Sequence, residues 1–81
     1  MPYDHRTTGR VIRELREKRE MTQEVLSGLA AISRSHLAEI ETGRTSANVE
    51  TLWRISDALG MKLSDLIRRV ECAIEGEAER W

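Results

Sequence analysis

Phenylalanine is absent from this chain of 81 residues, and aromatic residues make up 4% of it. Tyr3, Trp53 and Trp81 are the whole aromatic set, so any core has to be built from aliphatic side chains. Pro2 is the single proline, so no proline interrupts a helix in the interior of the chain. Cys72 is the single cysteine, which excludes an intramolecular disulfide and fits a reducing cytoplasm. No apolar run approaches the roughly 18–20 residues that a membrane span needs. The stretch from Met1 to Arg10 is polar, unlike a secretory signal, and a cytoplasmic protein is expected. His5 and His36 lie far from Cys72 without the spacing of metal ligands, so neither a metal nor another cofactor is expected. No glycine-rich phosphate loop appears, and no enzyme is expected. The length allows one small domain, near the lower limit of independent stability, which a dimer would relieve by covering surface.

Charge is scarce in net terms, −1 at neutral pH, but unevenly placed. Met1 to Val70 holds 12 Lys/Arg against 10 Asp/Glu, whereas Glu71 to Trp81 holds four Glu and one Arg. The body is therefore mildly basic and the end acidic. Phosphate binding depends on a local patch and not on the average.

What is present is helical periodicity. Val11, Ile12 and Leu15 form an apolar stripe on a first helix over Thr8 to Arg19, leaving Arg13, Arg16, Lys18 and Arg19 as a solvated face. Thr22 is an N-cap candidate for a second helix, Gln23 to Ala30, with Leu26, Leu29 and Ala30 inward. Ser33 caps a third, with Leu37 and Ile40 inward and Gly43 as its stop. Asn48 caps a fourth, with Val49, Leu52, Ile55 and Leu59 inward and Gly60 as the stop. A fifth runs from about Leu63 to about Ile74, with Leu66, Ile67, Val70 and Ile74 on one side and Ser64 and Asp65 in its first turn. Cys72 near its end reads as a small, half-buried apolar residue. The expected organisation is an N-terminal arm over 1–7, an all-α domain over 8–74, and an acidic tail over 75–81 with no periodic pattern.

The second and third helices are separated only by Ala31, Ile32 and Ser33. Two short helices so close cannot run antiparallel and must cross steeply. Arg34, Ser35, His36, Ala38, Glu39 and Thr42 then form the outer face of the third. Such a face suits a groove about 12 Å wide, and equally suits the solvated surface of a helical bundle.

The strings GRVIRELREKREMTQEVLSGLA, ISRSHLAEIETGRTS and NVETLWRISDALGMKLSDL occur in this order between Gly9 and Leu66. In sequence and spacing this stretch resembles the Cro/C1-type (XRE) helix-turn-helix domain of phage repressors. The resemblance implies a lambda-repressor-like fold of five helices, with helix three in the major groove of DNA and helix two across the backbone. Three positions depart from the family pattern. Ala31 stands where a glycine is usual in the turn, at a site whose φ is often positive, which costs another residue roughly 1 kcal/mol. Ser27 replaces a small alanine and Ala47 a proline.

The resemblance carries roles to individual residues. Arg34, Ser35, His36 and Glu39 are the implied base contacts, with Arg34 foremost because its guanidinium matches the two acceptors of guanine. Glu39 either accepts from a cytosine amine or holds Arg34 or Arg44. Gln23, Arg10, Thr22, Ser33, Arg44, Thr45 and Ser46 are the implied phosphate contacts, Gln23 from a helix N-terminus that favours an anion. The implied partner is an operator in double-stranded DNA, bound by a homodimer and regulating transcription. Leu63, Ile67, Val70 and Ile74 are the expected dimer interface. Trp53, off the main stripe, either tops up the core or lies at a subunit contact. An antitoxin that binds both DNA and a toxin protein is the alternative function, and Trp81 docks on a toxin, on the second subunit or on nothing at all.

Overall fold

The computed structural model describes residues 2–78; Trp81 lies outside them. Five helices follow one another: α1 (His5–Lys18), α2 (Gln23–Ala30), α3 (Arg34–Glu41), α4 (Val49–Ala58) and α5 (Leu63–Ala78). The fold is all-α, as the periodicity predicts.

Helix starts are set by side-chain caps. Thr22 accepts from Val25 N, Ser33 from His36 N and Asn48 from Thr51 N, so each satisfies a backbone donor that the first turn leaves free. Asp4 does the same for α1 by accepting from Arg6 N, and the helix therefore begins at His5, ahead of the expected Thr8. Gly43 and Gly60 end α3 and α4 with φ of +77° and +72°. Ala31 ends α2 in the left-handed region, φ 58° and ψ 40°, so the turn keeps the geometry that usually selects glycine.

The core is aliphatic. Ile12, Leu26, Leu37, Ile55 and Leu66 are fully buried, and Val11, Leu15, Ala30, Ile40, Leu52, Leu59 and Val70 complete it. Helix α1 packs on α3 and α5, α2 on α3 and α4, and α4 on α5. Gly9 permits the α1–α3 approach, because a Cβ there would overlap the carbonyl oxygen of Ile40.

Several expectations are corrected. Leu29 and Val49 are exposed, because Ala30 and Ser27 complete the inner face of α2 and Val49 precedes the first buried residue of α4. Cys72 is exposed. Arg16 is buried and so leaves the solvated face, whereas Arg19 stays exposed while its guanidinium donates to the carbonyls of Leu59 and Leu15. Helix α5 runs on through Glu75 to Ala78, where the sequence suggests a tail without pattern. The last turn is held from outside: Glu77 pairs with Arg10 and accepts from Thr7 Oγ1 at 3.3 Å.

Candidate nucleic-acid interface

The second and third helices are eight residues each, too short to be stable in isolation, so their placement comes from the packing beneath them. Leu26 and Ala30 of α2 and Leu37 and Ile40 of α3 supply the apolar part. The polar part is a cluster that sequence reasoning missed. Arg16 on α1 donates Nε to Glu41 Oε2 at 2.8 Å and Nη2 to Glu41 Oε1 at 2.9 Å. It also donates Nη1 to the carbonyl of Met21 at 2.8 Å. Gln23 donates Nε2 to the same Oε1 at 3.1 Å. Three helices are thus tied at the start of α2. The hydrogen bonds to Glu41 push the Arg16 pKa up, against the lowering effect of burial. A signal was available: Arg16 follows Ile12 by four residues and Glu41 follows Leu37 by four, which places both charges in buried phase.

Above this cluster Arg16, Thr22, Gln23, Glu24 and Arg34 line one hollow of about 400 Å³. The structure therefore brings Arg34, Gln23 and Thr22 together, joining the N-terminal ends of α2 and α3. Arg34, Ser35 and Glu39 are exposed on the outer face of α3, and His36 is half-buried. Arg34 and Glu39 make no ion pair among the described residues, so Glu39 holds neither Arg34 nor Arg44 by its carboxylate. Its backbone oxygen accepts from Arg44 N at 2.9 Å instead. Thr22 and Ser33 use their hydroxyl oxygens as caps, which leaves each O–H able to donate outward. The amide of Gln23 gives one of its two N–H donors to Glu41, which leaves the other able to donate outward.

At the other end of α3, about 12 Å away for a helix of this length, Arg44, Thr45 and Ser46 form the following loop, with Arg44 and Ser46 exposed and Thr45 half-buried. His5 reaches this end: its Nε2 lies 3.0 Å from the carbonyl oxygen of Gly43. Arg10 does not join the surface. It faces α5 and pairs with Glu77, because the extra turn of α5 brings that carboxylate alongside. Val70, expected at a dimer interface, is 2% exposed and belongs to the core, whereas Leu63, Ile67 and Ile74 remain half-buried. Trp53 is exposed beside α5. Among the described residues no group of His, Cys, Asp and Glu is placed to hold a metal ion, and no helix is long and apolar enough to cross a membrane.

Residues 12–66 match the family model described as Helix-turn-helix. Over 73 residues the chain is 36% identical to the immunity repressor protein of Bacillus phage phi105, covering 90% of this chain and 51% of that protein. It is 37% identical over 60 residues to the HTH-type transcriptional regulator DdrOP3 of Deinococcus deserti, covering 74% of this chain and 46% of that protein. The chain thus spans about half the length of these curated relatives. The solved structure of the restriction-modification controller protein C.AhdI from Aeromonas hydrophila superposes with a TM-score of 0.74 at 26% identity, covering 76% of this chain and 94% of that one.

Proposed function

Since the chain belongs to the helix-turn-helix family, of the Cro/C1 (XRE) type, we propose that it binds specific sequences of double-stranded DNA and regulates transcription, without catalysis. The observation that carries this reading is the hollow where α2 and α3 begin. There Arg34 stands exposed with no acidic partner among the described residues, on a helix fixed from below by Arg16 and Glu41. A guanidinium held at the start of a rigid helix can extend into the major groove and meet O6 and N7 of a guanine. Ser35, His36 and Glu39 follow along the same helix as further base contacts. The hydroxyls of Thr22 and Ser33 and the segment Arg44, Thr45, Ser46 flank it at both ends and suit the two phosphate backbones. Gln23 joins them through the second N–H of its amide. Arg10, engaged by Glu77, is not included.

A twofold operator is read by two copies whose recognition helices are about 34 Å apart, one turn of DNA. The names of the relatives, a repressor and a transcriptional regulator, support the regulation of transcription and say nothing of the operator's symmetry. Its place of action would be the cytoplasm, with the DNA.

Selection from a pool of randomised duplexes tests it, followed by fluorescence anisotropy on the enriched sequence. Inverted repeats with half-sites one turn apart are expected, with an affinity that falls as salt rises. A pool that stays random, with no salt-dependent binding, would reject the proposal.

A further inference from the structure

We infer that the last turn of α5 is an acidic latch on the proposed DNA interface: the carboxylate of Glu77 holds Arg10 in the place of a phosphate, and opening the turn adds a backbone contact. The inference concerns the regulation of that interface and rests on the reading above.

Arginines follow one another along the outer face of α1. Arg6, Arg10 and Arg13 are exposed, at spacings of four and three residues that put them on one side of the helix. The row starts at the proposed interface. A Cβ at Gly43 would lie 2.8 Å from Arg6 Cγ, and Gly43 leads directly into Arg44, Thr45 and Ser46. Arg10 stands one turn further on, about 5.4 Å along the axis. A DNA strand carries a phosphate about every 3.4 Å of rise. A backbone that meets Arg44 and Arg6 therefore presents further phosphates over the distance that Arg10 adds.

The three arginines are engaged differently. Arg6 has no acidic partner among the described residues, and Arg13 pairs with Glu17 of its own helix. Arg10 is held from another element, by Glu77, which also accepts from Thr7 Oγ1 at 3.3 Å. Glu14 lines the hollow beside Arg10 but forms no ion pair with it among the described residues. A carboxylate and a phosphate offer a guanidinium the same chemistry, anionic oxygens that accept its N–H groups. Glu77 is thus a competitor for DNA carried within the chain. It prevails while the turn is closed, because a group of the same chain acts at high effective concentration.

The turn is also able to open. Ala73 and Ile74 are the last residues of α5 packed on the core. Beyond them stands Gly76, a poor helix former, with nothing within 4 Å of the place for its Cβ. The Arg10–Glu77 pair is half-exposed on both sides, and such pairs hold weakly. A hollow of about 470 Å³ beside Arg10 and Gly76 gives the arginine room to turn outward once Glu77 leaves.

Fluorescence anisotropy on the selected duplex, across a series of salt concentrations, tests the latch. Glu77→Gln removes the carboxylate, whereas Gly76→Pro breaks the last turn and keeps every charge. Each should bind more tightly than wild type at low salt. Each should steepen log K against log salt by about 0.9 for every phosphate gained, about 1.8 for two copies. Adding Arg10→Ala to either variant should cancel the gain. Glu75→Gln removes an exposed charge that has no ion-pair partner among the described residues, and should keep the wild-type slope. Cooperative unfolding in urea confirms that each variant is folded. Wild-type slopes in both Glu77→Gln and Gly76→Pro would overturn the latch while the duplex still binds. A gain that survives Arg10→Ala would trace it to net charge and overturn the latch as well. A chain that binds no duplex in any of these forms would reject the DNA-binding proposal, and the latch with it.

Discussion

Arg16 and Glu41, 25 residues apart in sequence, meet face to face through two parallel hydrogen bonds across the α1–α3 contact. Their side chains are 11% and 1% exposed, so this pair is screened far less than one at the surface. Removing one partner of such a pair strands the other, and Arg16→Met should cost about 3–5 kcal/mol in urea unfolding. Arg16→Met combined with Glu41→Leu should recover most of that loss, because no buried charge is then left alone. A raised arginine pKa adds stability that is complete below the ordinary value and is lost only as pH climbs through the raised one. No loss attributable to Arg16 is therefore expected across the neutral and mildly alkaline range.

Gly9 is expected to tolerate no side chain. Its place for a Cβ is taken by the backbone of Ile40, which cannot swing aside as a flexible side chain would. Gly9→Ala should force α1 and α3 apart and cost about 1–3 kcal/mol or more, read as a lower midpoint in thermal or urea unfolding. An unchanged midpoint would show that the helices do not cross this closely.

Ala31 gives the opposite sign. Its left-handed backbone costs an L-residue about 1–2 kcal/mol, and glycine returns part of that gain through the greater freedom of the unfolded chain. Ala31→Gly should therefore stabilise by about 0.5–1 kcal/mol. The contacts of α3 do not change, so the sequence recovered by duplex selection should stay the same.

Arg34 and Arg44 should fail in different ways. Arg34→Ala should cost about 1–3 kcal/mol per half-site and relax preference at one base position, with weak binding to unrelated DNA kept. Arg44→Ala should weaken all sequences alike and reduce the salt dependence by about one phosphate per half-site. Arg10→Ala, which loses the contact with Glu77, should leave that dependence unchanged. Duplex selections and salt titrations on the three variants separate these outcomes. An Arg34→Ala variant that recovers the wild-type motif would move the leading role to Ser35 or His36.

Local chemistry made most of the fold legible. Thr22, Ser33 and Asn48 cap the helices they were expected to cap, and Gly43 and Gly60 end the ones they follow, because these effects act within one turn. Phase was less certain in the short helices. Eight residues give α2 barely two turns, too few to distinguish Leu29 from the true inner positions. Charged residues in buried phase were the main omission. Arg16 and Glu41 look like surface residues by type, and only their spacing from Ile12 and Leu37 shows otherwise. The pairing of Arg10 with Glu77 depends on contact between the two ends of the chain, for which no local pattern exists. Within the candidate site, the exposure of Arg34, Ser35 and Glu39 follows from helix phase alone. The diversion of Gln23 to Glu41 does not.

The division of α3 into two faces bears on how a preference for one DNA sequence could change over generations. Leu37, Ile40 and Glu41 are fixed by what lies beneath them, at 0%, 1% and 7% exposure. Arg34, Ser35 and Glu39 are exposed, and substitutions at such positions usually shift stability by no more than about 0.5 kcal/mol. Mutation can therefore explore new target sites at these positions while the domain stays folded, and a gene duplicate could diverge in specificity without first acquiring a stabilising change elsewhere.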